Sequence, residues 1–170
     1  MNQNENLSAS LEDYLEAIHN IALVKQAARA KDIAQRLNLK SSSVTGALRS
    51  LSEKGLINYA PYDLITLTPE GKSVAEDIVL RHKTIKNFLI NVLHINPAEA
   101  QENSCKMEHN ISPTILNRLI SFMKFVEVCP RFENHWVEAF KIFEETGEIQ
   151  DTCRLCVSNS SEKNGGTVGA

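Results

Sequence analysis

The sequence predicts a mostly α-helical protein that begins with a winged helix-turn-helix and continues with an all-α domain. Two short helical patterns joined by about three residues are typical of a helix-turn-helix. A β-hairpin pattern follows them directly, where the wing of such a domain lies. Beyond residue 68, three further helices are predicted by one shared start signal, a Thr, Asn or Ser followed by proline.

Length and composition limit the class of protein. The 170 residues suffice for one or two domains with cores of their own. A composition of 42% hydrophobic and 23% charged residues excludes disordered and collagen-like chains. No apolar run approaches the roughly 20 residues of a membrane span, and the first residues lack the pattern of a signal peptide. We therefore expect a cytoplasmic protein whose four cysteines are metal ligands or thiols rather than disulfides.

Charge is distributed unevenly along the chain. The segment 24–54 carries seven basic and two acidic residues, a charge of +5 in a chain whose net charge is −3. A basic N-terminal module on an acidic body is typical of a DNA-binding domain joined to a second domain. The alternative is a solvated helical face without a nucleic-acid partner.

The first three helices follow from apolar spacing and end signals. The first is predicted to start at Ser8 or Ser10 and keeps a helical apolar period. The second is predicted at 30–37 and the third at 41–54, with Gly55 suited to the position after a helix end. Residues 56–67 are predicted as the hairpin.

Thr68, Asn96 and Ser112 each precede a proline, and they predict helices at 69–93, 97–109 and 113–126. A further helix is predicted through Phe140 and Phe143. The long helix carries an apolar stripe that suits either a dimer interface or an ordinary core. The stripe consists of Val74, Ile78, Ile85, Phe88, Leu89 and Val92.

Cys105, Glu108 and His109 form the strongest chemical pattern. At i, i+3 and i+4 of a helix, all three side chains leave one face. A thiolate, a carboxylate and an imidazole are ligands of transition-metal sites. The alternative is a buried cysteine beside two solvated polar residues. Asp13 and Glu16 share a face of the first helix in the same way, and there the alternative is a helix cap beside a solvated glutamate.

The C-terminal part contains a second cysteine pattern. Cys153 and Cys156 form a C-x-x-C pair, to which Cys129 and His135 would add two ligands for a structural Zn(II) ion. Phe132 stands where a C-x-x-C partner of Cys129 would be, so the pattern is incomplete. A redox role and unpaired thiols are the alternatives. Residues 158–170 are rich in Ser, Asn and Gly and are predicted to be disordered.

Several motifs together resemble one known family. In chain order they are Leu11-Glu12-Asp13-Tyr14-Leu15-Glu16, Asp32-Ile33-Ala34, Ser42-Ser43-Val44-Thr45, Leu67-Thr68-Pro69-Glu70-Gly71, Arg81-His82 and Cys105-x-x-Glu108-His109. They occur in the order and spacing of the diphtheria-toxin-repressor family, which represses iron or manganese uptake in response to a divalent metal. The resemblance covers about residues 8–126. It implies a winged-helix DNA-binding domain at 1–70 and an all-α metal-binding and dimerisation domain at 71–126, which leaves a Cys-containing extension at 127–157.

The resemblance also implies a ligand set for the metal. Carried over by position, the ligands are Asp13, His82, Cys105, Glu108 and His109, with Glu16 as a further candidate. Asp13 is similar to the manganese-responsive branch, whereas Cys105 is similar to the iron-responsive branch. Because a thiolate suits Fe(II) better than Mn(II), Fe(II) is favoured and Mn(II) is the alternative. Lys86 and Gln101 depart from the ligands of the iron branch's ancillary site, so we do not expect that site.

The implied function is that of a homodimeric, metal-dependent repressor on a pseudo-palindromic site in double-stranded DNA. The residues expected to contact DNA are Arg29, Lys40, Ser41, Ser42, Ser43, Thr45 and Arg49. One alternative is a redox-sensing winged-helix regulator. Another is a hydrolytic metalloenzyme, but the chain lacks an H-E-x-x-H motif and we expect no enzymatic activity.

Overall fold

The computed structural model describes residues 7–60, 64–128 and 135–148, and the mostly helical class is confirmed. Within these residues the helices are α1 (Ala9–Lys25), α2 (Ala30–Leu37), α3 (Ser41–Glu53), α4 (Pro69–Asn91), α5 (Pro97–Glu108), α6 (Pro113–Val128) and α7 (His135–Thr146). The strands β1 (Ile57–Asn58) and β2 (Thr66–Leu67) pair antiparallel. None of the described helices is both long and apolar enough to cross a membrane.

Local signals set the ends of the first three helices. Ser8 caps α1 by accepting a hydrogen bond from the backbone N–H of Leu11 at 3.4 Å, so the earlier of the two predicted starts is right. The bounds of α2 match the prediction, and Asn38, at φ 53°, adopts the left-handed conformation that turns the chain towards α3. Gly55, at φ 72°, takes the same conformation after α3.

The described residues divide into two compact units. The first combines the residues up to Lys86 with Gln101–Ile111, and the second combines Asn87–Ala100 with the residues from Ser112 onward. The core of the first unit contains fully buried aliphatic side chains from α1 to α4 and the wing, among them Leu15, Ile18, Ile33, Val44, Leu48, Leu51, Ile65 and Ile78. Each such side chain contributes about 1.5–3 kcal/mol by leaving water. Val74 and Ile78 of the apolar stripe on the long helix belong to this core. For these two residues the interpretation as ordinary core, rather than dimer interface, is confirmed.

The predicted hairpin is present but short. Ile57 pairs with Leu67, and an isolated bridge between Ala28 and Ile65 ties the wing to the segment before α2. Residues 61–63 of the predicted turn lie outside the described residues.

The junction between the wing and α4 is tightly packed. Thr68 caps α4 by accepting a hydrogen bond from Gly71 N at 3.0 Å, and its hydroxyl donates to the Gly55 carbonyl at 2.7 Å. A Cβ atom at Gly71 would lie 1.8 Å from the Leu56 carbonyl oxygen, so only glycine fits there. This contact fixes where α4 leaves the wing.

The start signals of α5 and α6 are confirmed by their caps. Asn96 Oδ1 accepts from the backbone N–H of Glu99 at 2.9 Å, and Ser112 Oγ accepts from Ile115 N at 3.4 Å. The helix ends differ slightly from prediction, at Asn91, Glu108 and Val128 for α4, α5 and α6. Caps mark helix starts, whereas the last turn depends on packing that the sequence pattern does not report.

The second unit contains α6 and α7. Phe88 and Phe122 pack edge to face with ring centroids 6.3 Å apart, and the predicted helix through Phe140 is confirmed as α7. No residue of α6 is buried among the described residues. Of the candidate second metal site, Cys129, Cys153 and Cys156 lie outside the described residues, as does the predicted disordered tail, while His135 begins α7.

Candidate metal centre

Three helices of the first unit contribute side chains to one cluster. Asp13 lies on α1, His82 lies on α4, and Cys105 and Glu108 lie on α5. His109 follows the last residue of α5 directly. The i, i+3, i+4 spacing therefore places three of these side chains towards the other two helices, as a common helix face requires.

The ligand atoms form two overlapping groups. His82, Cys105 and Glu108 form one, Asp13, Glu108 and His109 form the other, and the ligand atoms within each group lie within 4.8 Å of one another. His82 Nδ1 is 2.7 Å from Glu108 Oε2 and 3.7 Å from Cys105 Sγ. His109 Nε2 is 3.1 Å from Asp13 Oδ1. The structure thus brings together five of the six side chains that the resemblance implies as ligands.

Glu108 lies at the centre of the cluster and is fully buried. Its Oε2 is bonded to His82, but its Oε1 is the one buried side-chain oxygen or nitrogen of the described residues that has no hydrogen-bond partner. His109 Nε2, at 3.6 Å, is within ion-pair distance of this oxygen but beyond hydrogen-bond range. A buried carboxylate oxygen without a partner is costly. Because His, Cys and carboxylate atoms surround it, these residues fit a divalent transition-metal ion.

The electrostatics of the cluster favour the protonated forms of its side chains when no cation is considered. Burial and the charge of Glu108 raise the pKa of Cys105 to about 11, so its thiol is protonated at neutral pH. The hydrogen bond with Glu108 raises the pKa of His82, although burial opposes this. Burial also raises the pKa of Asp13, against the opposing effect of His109. A dication would reverse each of these preferences by favouring the deprotonated ligands.

Glu12 and Arg81 support the cluster, and the ligand prediction did not include them. Glu12 Oε2 lies 2.6 Å from His109 Nδ1, and Glu12 Oε1 accepts from Arg81 Nη2 at 2.8 Å. Arg81 Nη1 also donates to the backbone carbonyl of Glu108 at 3.1 Å. Glu12 therefore holds the ring of His109 with Nε2 towards Asp13, as carboxylates commonly orient metal-binding histidines.

Glu16 lies outside both ligand groups. Its Oε1 accepts a hydrogen bond from Asn20 Nδ2 at 3.3 Å, one helical turn away. Burial raises the pKa of Glu16, and the charge of Glu108 adds to this effect. Its role as a metal ligand therefore stays a prediction.

Six of the seven residues expected to contact DNA lie on α3 or directly before it. Val44, Leu48 and Leu51 bury one side of this helix in the core. The opposite side presents exposed Ser42, Ser43 and Arg49, while Thr45 is half-buried. Ser41 begins the helix. Lys40 precedes it, Arg29 precedes α2, and both side chains are exposed.

Two family profiles match the chain. The iron dependent repressor N-terminal DNA binding domain matches residues 6–64, and the iron dependent repressor metal binding and dimerisation domain matches residues 68–136. Together they include every candidate ligand among the described residues and every residue of the predicted DNA-contacting set.

Curated proteins show the same relationship. An uncharacterized HTH-type transcriptional regulator of Methanocaldococcus jannaschii is 42% identical over 121 residues, which are 69% of this chain and 95% of that protein. The transcriptional regulator MntR of Salmonella typhimurium is 33% identical over 66% of this chain and 71% of its own length. The MntR of Listeria innocua is 30% identical over 80% of this chain and 90% of its own.

Solved structures share the fold. A manganese-dependent transcriptional repressor in complex with manganese superposes with a TM-score of 0.62 at 27% identity, covering 68% of this chain and 53% of that one. IdeR of T. acidophilum gives a TM-score of 0.62 at 27% identity, covering 70% and 56%. The chain thus spans about half the length of these two repressors. With both profiles matched and relatives at 30–42% identity, the chain belongs to the iron-dependent repressor family, the diphtheria-toxin-repressor family that its motifs resemble.

Proposed function

We propose that this protein is a homodimeric transcriptional repressor of metal-ion homeostasis that binds DNA in response to Fe(II). The observation that carries the proposal is Glu108, a fully buried carboxylate whose Oε1 has no hydrogen-bond partner among the described residues. It belongs to both ligand groups and thereby connects Asp13 on α1 with His82 on α4.

Asp13, His82, Cys105, Glu108 and His109 would hold the ion, which would supply positive charge among acidic groups. Glu16 is a further candidate ligand. Asp13 projects from α1, whose other side builds the core shared with α2 and α3. Without a cation, several acidic side chains crowd this end of α1. Residues that held one ion in common would therefore stabilise one placement of α1, and they would favour it by the difference in metal affinity between the two placements.

Cys105 determines which metal is favoured. Its thiolate suits Fe(II) better than Mn(II), whereas the carboxylates of Asp13 and Glu108 alone would suit Mn(II) as well as Fe(II). Mn(II) is the alternative, which is supported by the similarity of this chain to a solved structure named as a manganese-dependent repressor. Regulation by oxidation of Cys105 is disfavoured, because a thiol with a pKa of about 11 forms little of the reactive thiolate. The Cys129, His135, Cys153 and Cys156 set stays a separate proposal for structural Zn(II).

The exposed side of α3 is the proposed DNA-reading surface. Ser42, Ser43 and Thr45 offer short hydroxyl groups to bases and phosphates, and the charges of Lys40 and Arg49 suit the DNA backbone. Gly46 is exposed in the middle of this surface and has no side chain for base readout. DNA shape therefore contributes to the choice of site.

A second copy of the chain is the proposed partner of α6. This helix buries no residue among those described, although it carries exposed Ile115, Phe122, Phe125 and Val128. Exposed large apolar side chains grouped on one helix are typical of protein interfaces. The family profile that includes α6 is described as a dimerisation domain. A two-fold dimer would present two α3 helices to a pseudo-palindrome.

A metal titration against DNA binding tests this function. A duplex is first selected from a random pool with the protein and Fe(II) under anaerobic, reducing conditions. The DNA Kd is then measured by fluorescence anisotropy at increasing free Fe(II) or Mn(II). We expect DNA affinity to increase at least about tenfold, within the usual range of allosteric coupling, and at lower free Fe(II) than Mn(II). Equal DNA affinity with and without metal would overturn the proposal, and a lower threshold for Mn(II) would reverse the metal assignment.

A further inference from the structure

Arg81 on α4 donates hydrogen bonds to two other helices at once. Its Nη2 atom lies 2.8 Å from Oε1 of Glu12 on α1, and this contact is also an ion pair. Its Nη1 atom lies 3.1 Å from the backbone carbonyl oxygen of Glu108, the last residue of α5. All three residues belong to the first compact unit. The guanidinium group therefore joins α1, α4 and α5, the three helices of the candidate metal centre.

Both contacts suit an arginine at this place. The side chains of Arg81 and Glu12 are only 19% and 13% exposed, so solvent screens this ion pair less than one on the surface. The Glu108 carbonyl ends α5, where carbonyl groups lack partners within the helix and a cation is favoured. A guanidinium group reaches its two acceptors from two nitrogen atoms, whereas a lysine has one. We therefore expect a lysine to keep the charge but to lose at least one of the two contacts.

This bridge forms without a metal ion. The guanidinium group keeps its positive charge in proteins, so it can hold acidic and carbonyl oxygens at any working pH. Glu12 directly precedes Asp13, so the bridge holds the same part of α1 that carries a candidate ligand. It holds that part next to the end of α5, where Glu108 is a candidate ligand as well. The protein thus has a contact of its own that favours the placement of α1 in which the ligands meet.

We propose that Arg81 is a positioning residue that favours this placement of α1 in the metal-free protein, and so lowers the metal concentration at which the protein binds DNA. The inference rests on the proposed function. The apparent affinity for a ligand is reduced by the fraction of the protein that is in the binding-competent state. A contact made only in that state raises the fraction, and both metal binding and DNA binding by the metal-free protein gain from it.

The charge of Arg81 by itself predicts the opposite result. A positive charge beside a metal centre repels a dication, so its removal alone would tighten metal binding. Positioning predicts weaker metal binding when Arg81 is replaced. The direction of the change in metal affinity therefore separates the two effects. Arg81→Lys, which keeps the charge, isolates the contribution of the two contacts.

Two variants and a matched control test the inference. Arg81→Met keeps an apolar stem of similar shape but can make neither contact. Lys83→Met is the control, because Lys83 is exposed and its loss removes the same charge from the same helix. Two residues further along, its side chain points about 200° away from that of Arg81. Arg81 is itself partly exposed, so both variants are expected to fold, and circular dichroism checks their helix content.

Calorimetry with Mn(II) alone should show about tenfold weaker binding in Arg81→Met, the worth of a hydrogen bond to a charged group. The loss should be smaller in Arg81→Lys and absent in Lys83→Met. The DNA Kd of metal-free Arg81→Met should increase by a similar factor, and at saturating Mn(II) it should return to within about threefold of the wild-type value. This recovery would not occur if the variant had merely lost its structure. Hydrogen exchange of the metal-free protein should be faster around Glu12 in Arg81→Met than in Lys83→Met.

Mn(II) affinity in Arg81→Met that is equal to or higher than in Lys83→Met would overturn the inference, as would wild-type Mn(II) affinity in Arg81→Lys. If Arg81→Met loses its helical circular dichroism, Arg81→Lys decides the test. Failure of the proposed function is distinguishable. In that case Mn(II) affinity and hydrogen exchange would still change as expected, while DNA affinity would not respond to metal in any of the proteins.

Discussion

His109 Nε2 lies 3.1 Å from Asp13 Oδ1, although the two residues are 96 positions apart in the sequence. The contact joins α1, which helps build the core of the helix-turn-helix, to the residue that follows α5. An ion held by both residues would couple the DNA-reading helices to the rest of the candidate metal centre.

Removing the Asp13 side chain should uncouple metal binding from DNA binding. Asp13→Ala loses the single ligand that α1 contributes to the two groups, so we expect no metal-dependent gain in DNA affinity while the protein remains a dimer. Anisotropy and analytical ultracentrifugation measure the two properties. Asp77→Ala, which removes an exposed carboxylate of α4, should behave as the wild type. Unchanged metal-dependent DNA binding in Asp13→Ala would contradict the coupling mechanism.

Replacing Cys105 should change the metal preference. Cys105→Asp exchanges the soft thiolate for a hard carboxylate, so the ratio of Fe(II) to Mn(II) affinity should fall about tenfold or more. Competition calorimetry under anaerobic conditions measures the ratio, and a thiolate charge-transfer band of bound Co(II) should disappear. A Co(II) spectrum without that band in the wild type would show that Cys105 is not a ligand.

Metal affinity should increase with pH. Burial raises the pKa of Cys105 to about 11, and the thiol proton must leave when the thiolate binds a metal. The pKa of His82 is raised as well, chiefly by its bond to Glu108, so its proton also competes with the ion. Each displaced proton raises the affinity up to about tenfold per pH unit while pH is below the pKa. Calorimetry between about pH 6 and 8 gives the slope of the logarithm of metal affinity against pH. This slope should be lower by one proton in Cys105→Ser than in the wild type.

Arg49 should contribute to DNA affinity through charge. Its exposed side chain lies on the same side of α3 as Ser42 and Ser43. Arg49→Ala should weaken binding to all duplexes similarly and reduce the slope of log Kd against log salt concentration by about 1. Lys72→Ala, on α4, is the control and should leave the slope unchanged. An unchanged slope in Arg49→Ala would place the DNA surface elsewhere.

Two glycines should respond oppositely to alanine. Gly71→Ala would place a Cβ atom 1.8 Å from the Leu56 carbonyl oxygen, so we expect a loss of about 2 kcal/mol or more in the free energy of unfolding. Gly46→Ala, in an exposed helical position with open space around it, should instead gain about 0.5–1 kcal/mol. Urea unfolding of the metal-free protein measures both values. Equal stability of the two variants would contradict the close packing between the wing and α4.

Residues that act locally were predictable from the sequence. Thr68, Asn96 and Ser112 were predicted as caps, and each accepts a hydrogen bond from the backbone N–H three residues on. A cap needs only its own helix, so sequence spacing contains the whole interaction. The common face of Cys105 and Glu108 was predictable for the same reason, because helical periodicity alone sets it.

Only the tertiary structure decided which residues support the ligands. Glu12 is the immediate neighbour of Asp13, and adjacent helical positions point about 100° apart, yet His109 contacts both because it lies between them. Gln101 of α5 contacts Lys86 and His82 of α4, and no spacing within one helix reveals these contacts. The sequence by itself determined the helices and the types of ligand. Packing between helices decided the ring orientations and the unpaired oxygen of Glu108, since both depend on atoms from distant parts of the chain.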